Sequence, residues 1–201
     1  MINTKYIKIM VVYISNIKYT LEEYLKDCKK LAIMGVGNTI KGDDGVGIVF
    51  INNLIKYYNN QHNNQNNGEN YNLNNKEINK IQDKLLFLNC GVVPENFTDV
   101  LKKEKPSHII IVDAALMGEE VATIKIINPD DIITTGFSTH SLPMSIIVKY
   151  IRHNIDTDIL IVGIEPEQLD LGAPLSKTIY NKNMEFTKMM TELINSFLNK
   201  N

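Results

Sequence analysis

Residues 31–47, LAIMGVGNTIKGDDGVG, decide how the rest of the chain is read. A short apolar run, Leu31 to Met34, stops at Gly35-Val36-Gly37, which predicts a buried strand entering a tight loop. Val46, Val49, Phe50 and Leu54 then recur at helical spacing, so a helix is predicted over about 45–58. Between them Gly42, Gly45 and Gly47 bracket two adjacent carboxylates, Asp43 and Asp44. Strand, glycine loop and helix in that order place Asp44 in the crevice above the carboxyl end of a strand, where open α/β sheets bind ligands. Two familiar phosphate-binding motifs fail here. Ile40 stands where a dinucleotide fingerprint needs its third glycine, and Asp43-Asp44 stand where a phosphate loop needs Lys and then Ser or Thr. Carboxylates repel phosphate, so a cation is the expected partner of the pair.

The remaining chain alternates strands and helices. Strands are predicted at Lys84–Leu88, Ser107–Val112 and Asp158–Ile164, with a weaker one over Val121–Ile127. Ser107–Val112 is continuous and β-branched, as a strand covered on both faces should be. Helices are predicted after Pro94, after His140 and over about 176–198, and a short one over about 21–29, with Thr20 and Glu23 as a capping box. Residues 1–30 form an extension of uncertain form, and 31–201 one α/β domain with a mostly parallel sheet and helices on both faces. Asn59–Asn79, dominated by Asn and Gln, buries too little apolar surface to offset its ordering entropy and is read as a disordered insertion.

Composition narrows the function classes. The 201 residues are 44% apolar with formal net charge −2, enough for a full core and without a basic block that would suit nucleic acid or a membrane surface. Cys28 and Cys90 form no CxxC pair, so neither a disulfide framework nor a structural zinc site is indicated. The uncharged run Ile9–Ile17 is too short to span a bilayer, and no small-residue cleavage site follows it. A cytoplasmic monomer is expected.

Three polar residues recur in one setting: Asp44 after the first strand, Asp113 closing the central strand and His140 opening a helix. In a parallel sheet all three share one rim, and two carboxylates with an imidazole suit a borderline divalent ion such as nickel or zinc. Other readings stand beside this one. Asp44 can serve as a helix cap, and His140 as a plain loop residue. Cys90, at the end of the second strand, could face His140 with Asp113 orienting the imidazole, as in a thiol protease. His108 and His153 are read as structural or solvated, and His62 lies in the Asn-rich segment without fixed partners.

The segments GVGNTIKGDDGVG, Asn89-Cys90-Gly91 with Pro94-Glu95-Asn96, IIIVDA, Thr139-His140 and VGIEPE occur in that order. Together they resemble the hydrogenase maturation endopeptidases, in particular the branch serving formate-hydrogenlyase and membrane-bound hydrogenases. The resemblance runs from about Leu31 to the last helix. It implies a twisted five-stranded sheet with helices on both faces and an endopeptidase, aspartyl-type or metal-assisted. Such an enzyme removes the C-terminal extension of a nickel–iron hydrogenase large-subunit precursor. It also implies that Asp44, Asp113 and His140 contact nickel, which the precursor supplies and the protease does not keep. Family members often have Asp-Gly-Gly where this chain has Asn89-Cys90-Gly91. The alternatives are a nickel-dependent binding protein or chaperone of the same precursor without proteolysis, and a nucleotide-binding domain, which the failed glycine motifs disfavour.

Overall fold

The computed structural model describes residues 16–63, 78–81, 83–129 and 144–199. Six strands, β1 (Leu31–Val36), β2 (Ile78–Ile81), β3 (Leu85–Gly91), β4 (His108–Ala114), β5 (Ile124–Ile127) and β6 (Asp158–Ile164), form one sheet among these residues. Their order is β2-β3-β1-β4-β6-β5. The four inner strands are parallel, and the edge strands β2 and β5 run antiparallel to β3 and β6. The helices are α1 (16–24), α2 (Val46–Asn63), α3 (Thr98–Glu104), α4 (Met144–Asn154) and α5 (Lys177–Asn199).

Strand alternation divides the core into two layers. Leu31, Ile33, Phe87, Ile110, Val112 and Val162 face α1, α2 and α5 through Leu21, Phe50, Leu54, Phe186 and Met190. Ala32, Met34, Leu88, Ile109, Ile111 and Ile161 face α3 and α4 through Leu101, Ile147, Val148 and Ile151. All seven residues of β4 are buried, which is why its sequence lacks a polar alternation. Because α2 lies on one face and α3 and α4 on the other, the chain leaves the ends of β1 and β4 in opposite directions. The gap between these two strands is the switch point of the fold.

Three predicted boundaries move. The family-implied five strands gain a sixth: β2 pairs Ile78–Ile81 with Leu85–Leu88 and buries Ile81, so backbone pairing holds a segment poor in apolar side chains. The predicted insertion, 59–79, overlaps both neighbours: 59–63 are helical and 78–79 belong to β2. The helix α2 continues to Asn63, since extending a formed helix adds a hydrogen bond for each residue fixed, and residues 64–77 lie outside the described residues. The first helix occupies 16–24 rather than 21–29. Thr20 is inside it, donating its hydroxyl to the Asn16 carbonyl at 2.9 Å, and Glu23 pairs with Lys26 at 2.6 Å, so no capping box forms.

The helix α1 is joined to the amino edge of the sheet by one side chain. The Tyr24 hydroxyl lies 2.9 Å from the Ile109 carbonyl and 2.7 Å from that of Asp158, and accepts from the Ile109 N–H at 3.2 Å. It thus satisfies backbone groups of both β4 and β6. Tyr24→Phe keeps the ring but leaves these groups without their partner. A loss of roughly 1–3 kcal/mol in unfolding free energy is expected, read as a lower denaturant midpoint at unchanged slope. At the opposite edge the first turn of α2 lies against the sheet backbone. A Cβ on Gly47 would sit 2.3 Å from both the Val36 and Val112 carbonyl oxygens. Gly47→Ala must therefore separate α2 from β1 and β4. A destabilisation at or above the upper end of ordinary overpacking, about 3 kcal/mol, is expected in the same measurement.

Candidate active site

The carboxyl ends of β1, β3, β4 and β6 gather on one edge, and the glycine loop folds across it. Gly37 takes φ +143°, and a Cβ there would lie 1.9 Å from the Asp44 carbonyl oxygen, so only glycine permits this closure. The Gly37 N–H donates to the Gly91 carbonyl at the end of β3 (2.9 Å). The Asn38 N–H lies 3.2 Å from the Asp44 carbonyl oxygen and 3.1 Å from its Oδ2. Residues Gly42–Gly45 form a single 3-10 turn before α2, and this turn packs against β4. Asp44 is 1% exposed.

Asp113 is the penultimate residue of β4, opposite Gly163 of β6, and is 5% exposed. It shares the α3 and α4 face of the sheet with Ile109 and Ile111. Gly47 touches the Val112 carbonyl, one residue before Asp113. The structure therefore brings Asp44 and Asp113 to the same edge, one from each side of the switch point between β1 and β4. Burying a carboxylate is costly unless it is compensated. Loop 134–139 and His140 lie outside the described residues. Among the described residues, which do not include His140, no three His, Cys, Asp or Glu side chains are grouped to hold a metal ion.

The two neighbouring aspartates have different fates, which corrects the expectation that both meet a cation. Asp43 is fully buried, and its carboxylate accepts backbone N–H bonds from Glu167 (2.9 Å), Gln168 (3.0 Å) and Ser176 (2.6 Å). It holds the segment after β6 rather than an ion. Glu165 acts similarly one strand end away. Buried just past β6, it accepts from the Met117 N–H (2.7 Å) and the Glu119 N–H (3.2 Å), pinning the loop that follows Asp113. Neither role is visible in the sequence beyond an acid beside a strand end, because the donors are backbone groups 46 to 133 residues away.

The thiol arrangement turns on His140, which lies outside the described residues, so only the packing of Cys90 is described. Its side chain is 2% exposed within the apolar layer of Val36, Leu88 and Phe97, and its thiol lies 3.7 Å from the Leu88 carbonyl. It lines a groove of about 380 Å³ with Val92, Val93, Phe97 and Val100. Asn89, at the position where the resembled family often carries an acid, donates its amide to the Asn52 side chain at 2.9 Å. His108 is distant from this edge. It opens β4 at the amino end, edge-on to Tyr24, and burial pushes its imidazole pKa down. His153 is exposed in the last turn of α4. No helix among the described residues is long and apolar enough to cross a membrane.

Comparison with known proteins agrees with this architecture. Residues 72–193 match the family model HycI, described as hydrogenase maturation protease. A Methanocaldococcus jannaschii protein assigned as a hydrogenase maturation protease is 42% identical over 177 residues, covering 88% of this chain and 95% of the relative. The hydrogenase 3 maturation protease of Escherichia coli is 25% identical over 148 residues, 73% of this chain and 80% of the relative. Among solved structures, the HycI [NiFe] hydrogenase maturation protease of Thermococcus kodakarensis superposes with a TM-score of 0.71 at 25% identity. That match covers 88% of this chain and 99% of the other. This chain belongs to the hydrogenase maturation protease family, a family of peptide hydrolases.

Proposed function

We propose that this protein is the endopeptidase that removes the C-terminal extension of a nickel–iron hydrogenase large-subunit precursor, and that it recognises the precursor by the nickel already inserted there. One observation supports the reading: Asp44 and Asp113 are both buried at the switch-point edge of the sheet, on different elements. In sequence His140 stands four residues before α4, on the connection from β5 to that helix. Two carboxylate oxygens and one imidazole nitrogen are suitable donors for a borderline divalent ion that brings its own thiolates. The donor set is incomplete alone, so the protease gains affinity mainly for the metallated precursor. Specificity is then the difference in affinity between loaded and empty forms. Cleavage adds water across the scissile amide, and in this reading a carboxylate at this edge accepts the proton of the attacking water.

The test is cleavage of purified precursor, with and without nickel, resolved by mass spectrometry. His140→Ala and Asp113→Asn are each expected to lower processing at least about 100-fold. Loss of a direct ligand should exceed the 10–100-fold typical of residues that only support ligands. Cys90→Ala, which removes one packed sulfur from the apolar layer, is expected to keep processing with a modest loss of stability. Cleavage that needs no nickel and disappears in Cys90→Ala would replace this mechanism with a thiol one. Retention of bound but uncut precursor by the wild type would make the protein a chaperone of it.

A further inference from the structure

The segment after β6, residues 165–176, is bound along its length to the glycine loop. Besides the three N–H bonds to the Asp43 carboxylate, the Asp43 N–H donates to the Gln168 carbonyl (3.0 Å) and the Gly42 N–H to the Ala173 carbonyl (3.1 Å). The Gly172 N–H donates to the Ile40 carbonyl (2.7 Å). The fit is close, since a Cβ on Gly42, which has φ +55°, would lie 2.8 Å from the Gln168 oxygen. Every element here other than Asp43 is backbone. The turn that carries Asp44 contains Gly42 and Gly45, residues with little conformational preference of their own, so its geometry must be imposed from outside. A carboxylate accepting several N–H bonds in a water-free setting is among the stronger anchors available.

We infer that Asp43 is a positioning residue for the peptidase reaction. By clasping residues 167–176 to the glycine loop it fixes the adjacent Asp44 against β4, where the substrate's reacting group and metal must meet it. The inference rests on the function proposed above. Asp43 itself acts through the backbone, because it is fully buried and its oxygens accept from Glu167, Gln168 and Ser176. The need for a fixed Asp44 is quantitative: a misplacement of about 1 Å in a reacting constellation costs on the order of 100-fold in rate.

Asp43→Asn tests this with little change in size. An amide offers one accepting oxygen and an NH2 that opposes the donors, so at least one of the three N–H groups loses its acceptor. Two readouts on the full-length protein are needed, both well below the melting temperature and normalised to folded protein. In the first, amide exchange at Glu167, Gln168 and Ser176 should accelerate at least about tenfold in D43N while exchange in β4 is unchanged. In the second, kcat on nickel-loaded precursor should fall roughly 10–100-fold while KM stays within about threefold. Gly42→Ala opens the same clasp from the other side with the Asp43 carboxylate intact, and the same split is expected of it. A mere stability role would lower the melting temperature and leave kcat per folded molecule intact, and that result overturns the inference. So does a kcat loss in D43N that G42A does not share, since the carboxylate would then act directly. A wild-type enzyme that leaves loaded precursor uncut removes the proposed function and with it the positioning role, whereas exchange rates still report whether the clasp exists. The two failures are thus told apart.

Discussion

The site depends on backbone meeting backbone at one place. The first turn of α2 rests on the carbonyl ends of β1 and β4 with no side chain between them, as the 2.3 Å approach of a hypothetical Gly47 Cβ to both Val36 and Val112 shows. Gly35 repeats the constraint one layer down, where an added Cβ would meet the Gly47 carbonyl at 2.4 Å. A larger residue at either position would lift the helix and carry the 3-10 turn with it. Everything chemical at this edge is downstream of that contact. The turn that carries Asp44 lies against β4 because α2 can approach the sheet closely, and it can do so because two glycines leave the space.

The same edge shows that burial alone does not define a catalytic carboxylate. Asp43, Asp44, Asp113 and Glu165 are all buried and all lie beside strand ends. Asp43 and Glu165 accept N–H bonds from distant backbone and act as ties between loops. Asp44 and Asp113 lie on the two sides of the switch point, where an open α/β sheet leaves room for a ligand, and Asp44 too accepts a backbone N–H, that of Asn38 at 3.1 Å. Loops that build a site need strong anchors, and carboxylates on backbone donors supply them; the ties of Asp43 and Glu165 reach 46 to 133 residues along the chain, that of Asp44 to Asn38 only six.

The sequence was most legible where one periodicity ran without interruption. The strand over Asp158–Ile164 and the last helix are found almost where their patterns end, and the central β4 is recognisable from its unbroken β-branched run. Asp44 and Asp113 were legible as members of one rim because a parallel sheet puts all its βα turns on one edge. What escaped were interactions between residues distant in the chain. The strand β2 has only Ile78 and Ile81 to mark it and is held by pairing to β3, which no local pattern records. Thr20 looked like a cap because its neighbours fit a capping box, yet its hydroxyl turns back to Asn16 inside a helix. Asp43 looked like a twin of Asp44, and only the return of residues 167–176 to the glycine loop distinguishes them. The additional tie from Tyr24 to β4 and β6 was equally invisible, since nothing in the first 30 residues points to the sheet.

These ties bear on how a small peptidase can be selective. A hydrolase that cut any accessible peptide would damage the cell's other proteins, so cleavage must be conditional on the state of the substrate. Under the proposed function the condition is coordination: donors from the protease and thiolates from the precursor are each insufficient, and only together do they complete a metal site. Such a test discriminates only if the protease donors are held still, because mobile ligands can adapt to many partners and lose the difference on which specificity rests. The Gly47 contact fixes the turn relative to β4, the Asp43 clasp fixes the turn from above, and Glu165 fixes the loop beyond Asp113. Under the proposed function, the rigidity of this edge is part of the recognition itself. Variants that loosen it should first lose the preference for loaded over empty precursor, before they lose the fold.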